Sequence, residues 1–227
     1  MRVVLVLALA TLLASGCAST RSQARERNPI VFVHGWSSSA SVWDPMIERF
    51  RADGWPDTHL VAWPYDTRRS NAETAVRLAA HVDSVLAATG ARRVDIVSHS
   101  MGALSSRYYA RHLGGDNRID AWASLGGPSH GTITAYACFD RSCREMRPGS
   151  AFLRDLNAGD ETPGAPRYAT WRSPCDVVVL PQDSPVLDGA VNTATPCLLH
   201  LELPTSGSVY VQVRDWLAAN ERAGASW

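Results

Sequence analysis

The chain of 227 residues lacks the patterns that mark several large classes of protein. It has no block of Lys and Arg, no basic repeat and a formal net charge of zero, so nothing indicates a nucleic-acid-binding face. It has no metal-ligand cluster, no phosphate-cradling glycine loop and no cofactor motif, so we expect neither a cofactor nor a metal. What remains, 45% apolar and 19% charged residues, suits one globular domain with a substantial core.

The N-terminus carries an apolar run, 3–14, that is too short to span a bilayer as a helix of the mature protein. Arg2 precedes the run, and small residues stand directly before Cys17. This pattern resembles a bacterial lipoprotein lipobox, although Ala14 stands where leucine is more usual; ordinary signal-peptide cleavage nearby is the alternative. Either way we predict export, as a secreted protein or as a periplasmic or outer-membrane lipoprotein associated with a membrane through Cys17. The predicted organisation is a signal segment with lipobox, a polar tether and one domain: 1–17, 18–28 and 29–227.

Apart from Cys17, the chain has four cysteines, which allow three pairings. We favour Cys138 with Cys143, which closes a short local loop, and Cys175 with Cys197, which joins two late segments. An oxidising compartment would let both bonds form. A zinc site is the alternative, but the paired C-x-x-C spacing of such sites is missing.

Strand and helix patterns alternate along the rest of the chain. The predicted strands cover 30–35, 59–65, 92–98, 119–127, 175–181 and 196–203. The predicted helices cover 43–53, 71–89, 101–113 and 209–221, with loop and short helix between 128 and 173. Such alternation implies an α/β fold with a mostly parallel sheet of about six strands and helices on both faces. Ligands of such sheets lie at the carboxyl ends of the strands.

A serine stands where the third predicted strand meets the third predicted helix. In IVSHSMGALSSRYY (96–109), the motif S-x-S-x-G centres on Ser100. A nucleophile elbow needs this strand–turn–helix context, with small residues two before and two after the serine, here Ser98 and Gly102. Glycine is more usual at the first of these places. The alternative is a serine that only caps the helix, but the flanking strand and helix favour a nucleophile.

A serine hydroxyl attacks only if a base accepts its proton and donors stabilise the resulting oxyanion. The N–H of Met101 follows Ser100 at the helix N-terminus, where N–H groups point outward. A second donor should come from the loop after an earlier strand. In FVHGW, Gly35 lets the chain turn and the N–H of Trp36 would point into the site. We expect His34 to hold this loop by hydrogen bonds rather than to act as the base.

Six features follow one another along nearly the whole mature chain: FVHGW, VSHSMGALSSRYY, SLGGPSHGT, the pair Cys175-Asp176 before an apolar run, LDGAVNT and VYVQVRDWL. Together they resemble the small secreted bacterial lipases of the class 2 lipase family, which are α/β-hydrolases without a large lid. The resemblance implies ester hydrolysis with Ser100 as the nucleophile, Asp176 as the triad acid, and Trp36 and Met101 as the oxyanion hole. An open cleft would suit acylglycerols or short- to medium-chain esters, and we expect a monomer.

The acid and the base both have competitors. The chain order of this fold is Ser, then Asp or Glu, then His. Asp183 and Asp188 compete with Asp176, because Asp176 would begin a predicted strand, an unusual place for a triad acid. His200 is the only histidine after Asp176 and is our predicted base.

The family pattern is broken at Pro204. In the family, a histidine four residues beyond the place of His200 acts as the base, and this chain has Pro204 there. Three hypotheses follow: His200 serves directly, or another histidine such as His99 or His130 is recruited, or the triad is broken. In the last case the protein would be a catalytically impaired surface lipoprotein that binds an apolar ligand. Acyl transfer to an acceptor other than water would need the same triad as hydrolysis.

Overall fold

The computed structural model describes residues 27–223. The predicted signal segment, Cys17 and most of the predicted tether lie outside the described residues. The last two tether residues contact the domain: the guanidinium of Arg27 lies 3.7 Å from the ring centre of Trp55, and the side-chain amide of Asn28 donates to Asp95. Within 27–223, no helix is both long enough and apolar enough to cross a membrane.

One parallel sheet of six strands forms the centre of the domain, with the spatial order β2-β1-β3-β4-β5-β6. The strands are β1 Ile30–Val33, β2 Leu60–Trp63, β3 Val94–His99, β4 Ile119–Leu125, β5 Arg167–Arg172 and β6 Val191–Ala194. Because every neighbouring pair is parallel, all six carboxyl ends lie at one edge of the sheet. Ligands bind at this edge in sheets of this kind.

Helices cover both faces of the sheet, as predicted. They are α1 Asp44–Ala52, α2 Asn71–Thr89, α3 Gly102–His112, α4 Arg141–Glu145, α5 Ala151–Leu156 and α6 Gly207–Ala223. The apolar sides of α1 and α6 pack with Phe32 and Val97 on one face. Those of α2 and α3 pack with Val31 and Ile96 on the other. Alternate strand residues therefore enter opposite cores, as the two-residue period of a strand requires.

The last two strand predictions are wrong, because β5 and β6 lie earlier in the chain than 175–181 and 196–203. The strand β5 falls inside the segment that we predicted as loop, where Pro and Arg flank a short buried run. In the apolar run that begins at Val177, Val177 and Val178 are exposed, because the run borders a cavity instead of entering the sheet. The segment around His200 forms a short 3-10 turn. In both cases an apolar run borders the cavity without forming a strand.

Both predicted disulfides are confirmed. Cys138 bonds to Cys143, and Cys175 bonds to Cys197. The second bond ties the segment after β5 to the loop after β6. It therefore joins the two parts of the chain that carry Asp176 and His200.

Candidate active site

Ser100 lies in the sharp turn between β3 and α3. Its N–H continues the sheet ladder by donating to the carbonyl of Leu125 at 2.9 Å, while its carbonyl accepts the N–H of Ala103 at 3.0 Å and begins the helix. The change of direction puts Ser100 at φ +55°, in the left-handed region that residues other than glycine rarely adopt. Within the described residues, only Ser37 shares this feature among non-glycine residues, and it lies in the loop after β1. Backbone strain of this kind clusters at functional sites.

The two small neighbours that the motif requires are both tightly enclosed. Ser98 is fully buried, and its hydroxyl donates to the carbonyl of Ala123 at 2.9 Å. A Cβ at Gly102 would stand 2.5 Å from the carbonyl oxygens of both Val33 and His34. Only glycine therefore fits at 102, because the start of α3 crosses the end of β1 at backbone contact.

Asp176 and His200 form a buried pair. The Nδ1–H of His200 donates to Oδ2 of Asp176 at 2.7 Å, and the other oxygen, Oδ1, accepts the backbone N–H groups of Val178 and Val179. Burial alone would raise the pKa of Asp176, but the hydrogen bond and charge of His200, together with these N–H groups, hold this pKa below its usual value. The carboxylate is therefore ionised at neutral pH, and it orients the imidazole of His200 by accepting its Nδ1–H.

The position of Asp176 differs from the sequence interpretation. Because β5 ends at Arg172, Asp176 follows a strand at the carboxyl edge of the sheet instead of beginning one. The competing acids, Asp183 and Asp188, are exposed, and His200 pairs with Asp176 instead of either.

The loop after β1 lies directly against Ser100. A Cβ at Gly35 would come within 2.8 Å of the Cβ of Ser100, so the backbone at Gly35 and Trp36 borders the serine. The indole Nε1–H of Trp36 donates to Oδ2 of Asp140 at 3.1 Å. Met101 follows Ser100 immediately and is fully buried at the start of α3. Of the two residues predicted to supply oxyanion donors, Trp36 thus lines the same cavity as Ser100, and Met101 is its neighbour in the chain.

His34 holds the loop after β1, as expected. Its Nδ1–H donates to the carbonyl of Gly35 at 3.0 Å, and its ring stacks on Tyr65 with ring centres 4.3 Å apart. The hydroxyl of Tyr65 donates to the carbonyl of His34. Burial lowers the pKa of His34, so it is held as a neutral, structural ring.

The other two histidines have different surroundings. His130 is partly exposed and bonds to the carbonyl of Ser184 and, at 2.8 Å, to Oε1 of Glu161, so it anchors its loop. His99 is buried, and its Nε2 lies 3.1 Å from the carbonyl oxygen of His200. His99 and His200 both line the cavity beside Ser100, but of the three histidines considered as base only His200 has a carboxylate on Nδ1.

A cavity of about 330 Å³ opens at this edge of the sheet. Ser100, His200 and Trp36 are among the residues that line it. Most of the other lining residues are apolar, and they include Ala135, Ala137, Met146, Val178, Val179 and Leu201. Such a chamber fits an apolar chain next to a small set of polar groups. No group of three or more metal-binding side chains occurs within residues 27–223.

Two side chains that support the site, those of Ser173 and Asp140, were not predicted from the sequence. The hydroxyl of Ser173 donates to the carbonyl of Leu198 at 2.6 Å and accepts its N–H at 2.9 Å, which pins the loop that carries His200. The carboxylate of Asp140 accepts a hydrogen bond from the indole N–H of Trp36. Both bonds join residues far apart in the chain, and a lone Ser or Asp in a loop carries no local signal of such a partner.

Comparison with known proteins agrees with this architecture. A model of the family described as Lipase (class 2) matches residues 27–188, a range that contains Ser100 and Asp176 and ends before His200. The mature form of the Bacillus licheniformis lipase BlEst2 is similar in structure, with a TM-score of 0.75 at 18% identity over 85% of this chain and 93% of that one. Aspergillus fumigatus lipase B gives 0.72 at 15% identity over 85% of this chain and 52% of that one.

Phospholipase PlaB of Legionella pneumophila gives a TM-score of 0.70 at 13% identity, over 84% of this chain and 59% of that one. At such identities the structural likeness shows the fold, a minimal α/β-hydrolase without a large lid. The family match covers most of the chain. The chain therefore belongs to the class 2 lipase family and is a lipolytic ester hydrolase.

Proposed function

We propose that the chain hydrolyses carboxylic esters through an acyl-enzyme on Ser100, with His200 as the base and Asp176 as the acid that orients it. One observation carries the proposal: Ser100 adopts φ +55° at the strand–helix turn, on the wall of the same cavity as the Asp176-paired His200. A serine that merely capped a helix would need neither the strain nor the cavity.

The steps follow from these roles. His200 Nε2 takes the proton of Ser100 Oγ as the oxygen attacks the ester carbonyl, and the N–H groups of Trp36 and Met101 stabilise the oxyanion. His200 then gives the proton to the departing alkoxide, and the alcohol leaves an acyl-enzyme. Water attacks the acyl carbon after giving a proton to His200. That proton returns to Ser100 Oγ as the carboxylic acid is released, so the enzyme is regenerated.

The apolar surface around the cavity supports a lipid ester as substrate. Trp36, Val178 and Leu201 line the cavity and are also exposed. Further exposed apolar residues adjoin lining residues in the chain; they are Ile133, Tyr136, Phe139, Val177 and Leu199. We call these eight residues the apolar rim. Exposed apolar patches of this kind mark contact surfaces, and a rim around a reacting serine suits acylglycerols or short- to medium-chain esters presented at a lipid surface. Export, and lipidation of Cys17, would place the enzyme at such a surface.

The test compares the wild type with Ser100→Ala and His200→Ala on p-nitrophenyl butyrate and octanoate. We expect both variants to lose at least about a thousandfold in kcat/KM, since members of a triad act as a unit. A fluorophosphonate probe should label the wild type and leave Ser100→Ala unlabelled. His130→Ala serves as the matched control, because His130 does not itself line the cavity, and its kcat should change little.

Two outcomes would contradict the proposal. If the wild type only equals the Ser100→Ala background on these and longer esters, the protein binds an apolar ligand without cleaving it. If His200→Ala keeps nearly normal activity while Ser100→Ala is inactive, the base is another group and the assignment of His200 is wrong.

A further inference from the structure

We propose that His99 is a positioning residue for His200: its Nε2–H holds the backbone carbonyl of His200 and thereby fixes the turn from which the imidazole reaches Asp176 and the cavity. The inference rests on the proposed role of His200 as the base. It gives a function to the histidine that stands directly before Ser100 in the S-H-S-x-G motif.

The contact between the two histidines is direct and buried. His99 ends β3 and is 2% exposed, and its Nε2 lies 3.1 Å from the carbonyl oxygen of His200. A carbonyl oxygen only accepts hydrogen bonds, so the proton of His99 is on Nε2. The two rings also lie together, with their centres 4.6 Å apart. His99 therefore touches both the backbone and the side chain of His200.

His99 stays neutral beside this partner. Burial, and after it the charge of His200, lower the pKa of His99 to about 3. Its Nδ1 is buried and has no hydrogen-bond partner among the described residues, which agrees with a ring that carries a single proton on Nε2. A charged ring here would repel the imidazolium that forms when His200 accepts the proton of Ser100. A neutral donor holds His200 without that repulsion.

The location of His200 explains why such a donor is needed. His200 is not part of a strand: β6 ends at Ala194, and His200 begins a 3-10 turn. Ser173 holds Leu198, two residues before His200, and the disulfide holds Cys197. These supports act upstream of His200, whereas His99 acts on its own peptide group. With Asp176 on the ring and His99 on the carbonyl, both ends of the residue are fixed.

The same facts argue against His99 as the base. Its Nε2–H is donated to a carbonyl, and its lowered pKa makes it a weak proton acceptor at neutral pH. Its effect on the reaction would be through the geometry of His200. A misplacement of about 1 Å in a catalytic group can cost on the order of a hundredfold in rate.

The experiment replaces the ring or only its donor. His99→Phe keeps an aromatic ring and removes the N–H; His99→Gln keeps an amide N–H near the place of Nε2; His99→Leu is a second donor-free variant. The matched control is His59→Phe. His59 is also buried, and its Nδ1 lies 2.9 Å from the carbonyl oxygen of Arg27, beside the amino end of β2 and away from the cavity.

We expect His99→Phe and His99→Leu to lower kcat on p-nitrophenyl butyrate by about ten- to a hundredfold with little change in KM. His99→Gln should retain kcat within about threefold of the wild type, because its amide N–H can still donate to the carbonyl of His200. His59→Phe should lose stability to a similar extent in thermal unfolding and keep its kcat. A merely structural role of His99 would not separate Gln from Phe in this way.

Proton NMR gives an independent signature. The proton shared by His200 Nδ1 and Asp176 should give a far-downfield signal in the wild type and in His99→Gln, and a weaker or broadened one in the donor-free variants. The proposal is overturned if the donor-free variants keep full kcat and this signal, or if His99→Gln is as impaired as His99→Phe. Failure of the proposed function looks different, because His200→Ala would then be active or the wild type inactive.

Discussion

Removal of the Cys175–Cys197 disulfide should affect stability and catalysis together. The bond closes a loop with a sequence separation of 22 residues, so the chain-entropy relation assigns it about 3 kcal/mol of stability. The Cys138–Cys143 bond closes a loop with a separation of 5 and should contribute about 2 kcal/mol. For a domain of this size, a loss of about 3 kcal/mol lowers Tm by roughly 6–12 °C. Replacing each pair of cysteines by alanines measures this difference in scanning calorimetry.

The same two variants separate catalysis from stability. Cys175 adjoins Asp176, and Cys197 lies on the loop that carries His200, so the first variant should also lose about tenfold in kcat well below its Tm. The other bond borders the apolar wall of the cavity, so its loss should act mainly on KM. Equal losses of Tm in the two variants would refute the loop-length argument. An unchanged kcat in the first variant would show that this disulfide does not position the Asp176–His200 pair.

Two further substitutions test the backbone crossing and the apolar rim. Gly102→Ala places a methyl group 2.5 Å from two carbonyl oxygens at the end of β1, so the free energy of unfolding should fall by about 1–3 kcal/mol and kcat should fall. In the control Gly207→Ala, the added methyl group meets nothing within 4 Å, so both quantities should stay unchanged. Phe139→Ser removes a ring that is 73% exposed and should weaken binding to neutral phosphatidylcholine vesicles by about tenfold in a sedimentation assay. Val76→Ser on α2 should leave vesicle binding unchanged, and equal binding by both serine variants would contradict the role of the rim.

The sequence was most informative where a segment contributes to both the local pattern and the core. The helix α2 begins and ends where predicted, because Ser70 caps its first turn and Gly90 ends it at φ +72°. Between these two residues, the apolar side chains of α2 recur at helical spacing and pack into the core that contains Val31 and Ile96. The turn at Ser100 was likewise predictable, since the strand, the small residues and the helix occur in one continuous stretch.

The sequence was least informative where a site needs apolar residues outside the core. The run Val177–Val179 has the composition of a strand, but the backbone N–H groups of Val178 and Val179 donate to Asp176, and both residues line the cavity. Conversely, β5 lies between prolines and arginines that suggested a loop, and pairing with β4 decides its structure. Pairing between distant segments overrides local propensity in sheets. The errors therefore fall at the border of the candidate site, where function and local preference diverge.

The break in the family pattern at Pro204 has a structural counterpart in the turn that carries His200. Leu203 is fully buried, and a Cβ at Gly126 would stand 2.8 Å from its Cδ1 and 3.3 Å from the ring of His200. Gly126 directly follows β4 and has φ +60°. The turn that carries His200 therefore packs against the backbone of a residue where no side chain would fit. Gly126 and Asp176 contact the ring of His200, and His99 bonds to its carbonyl, so both the ring and the backbone of His200 are held. A histidine on a short turn can thus have the fixed geometry that a catalytic base needs, and a proline later in the chain need not disturb it.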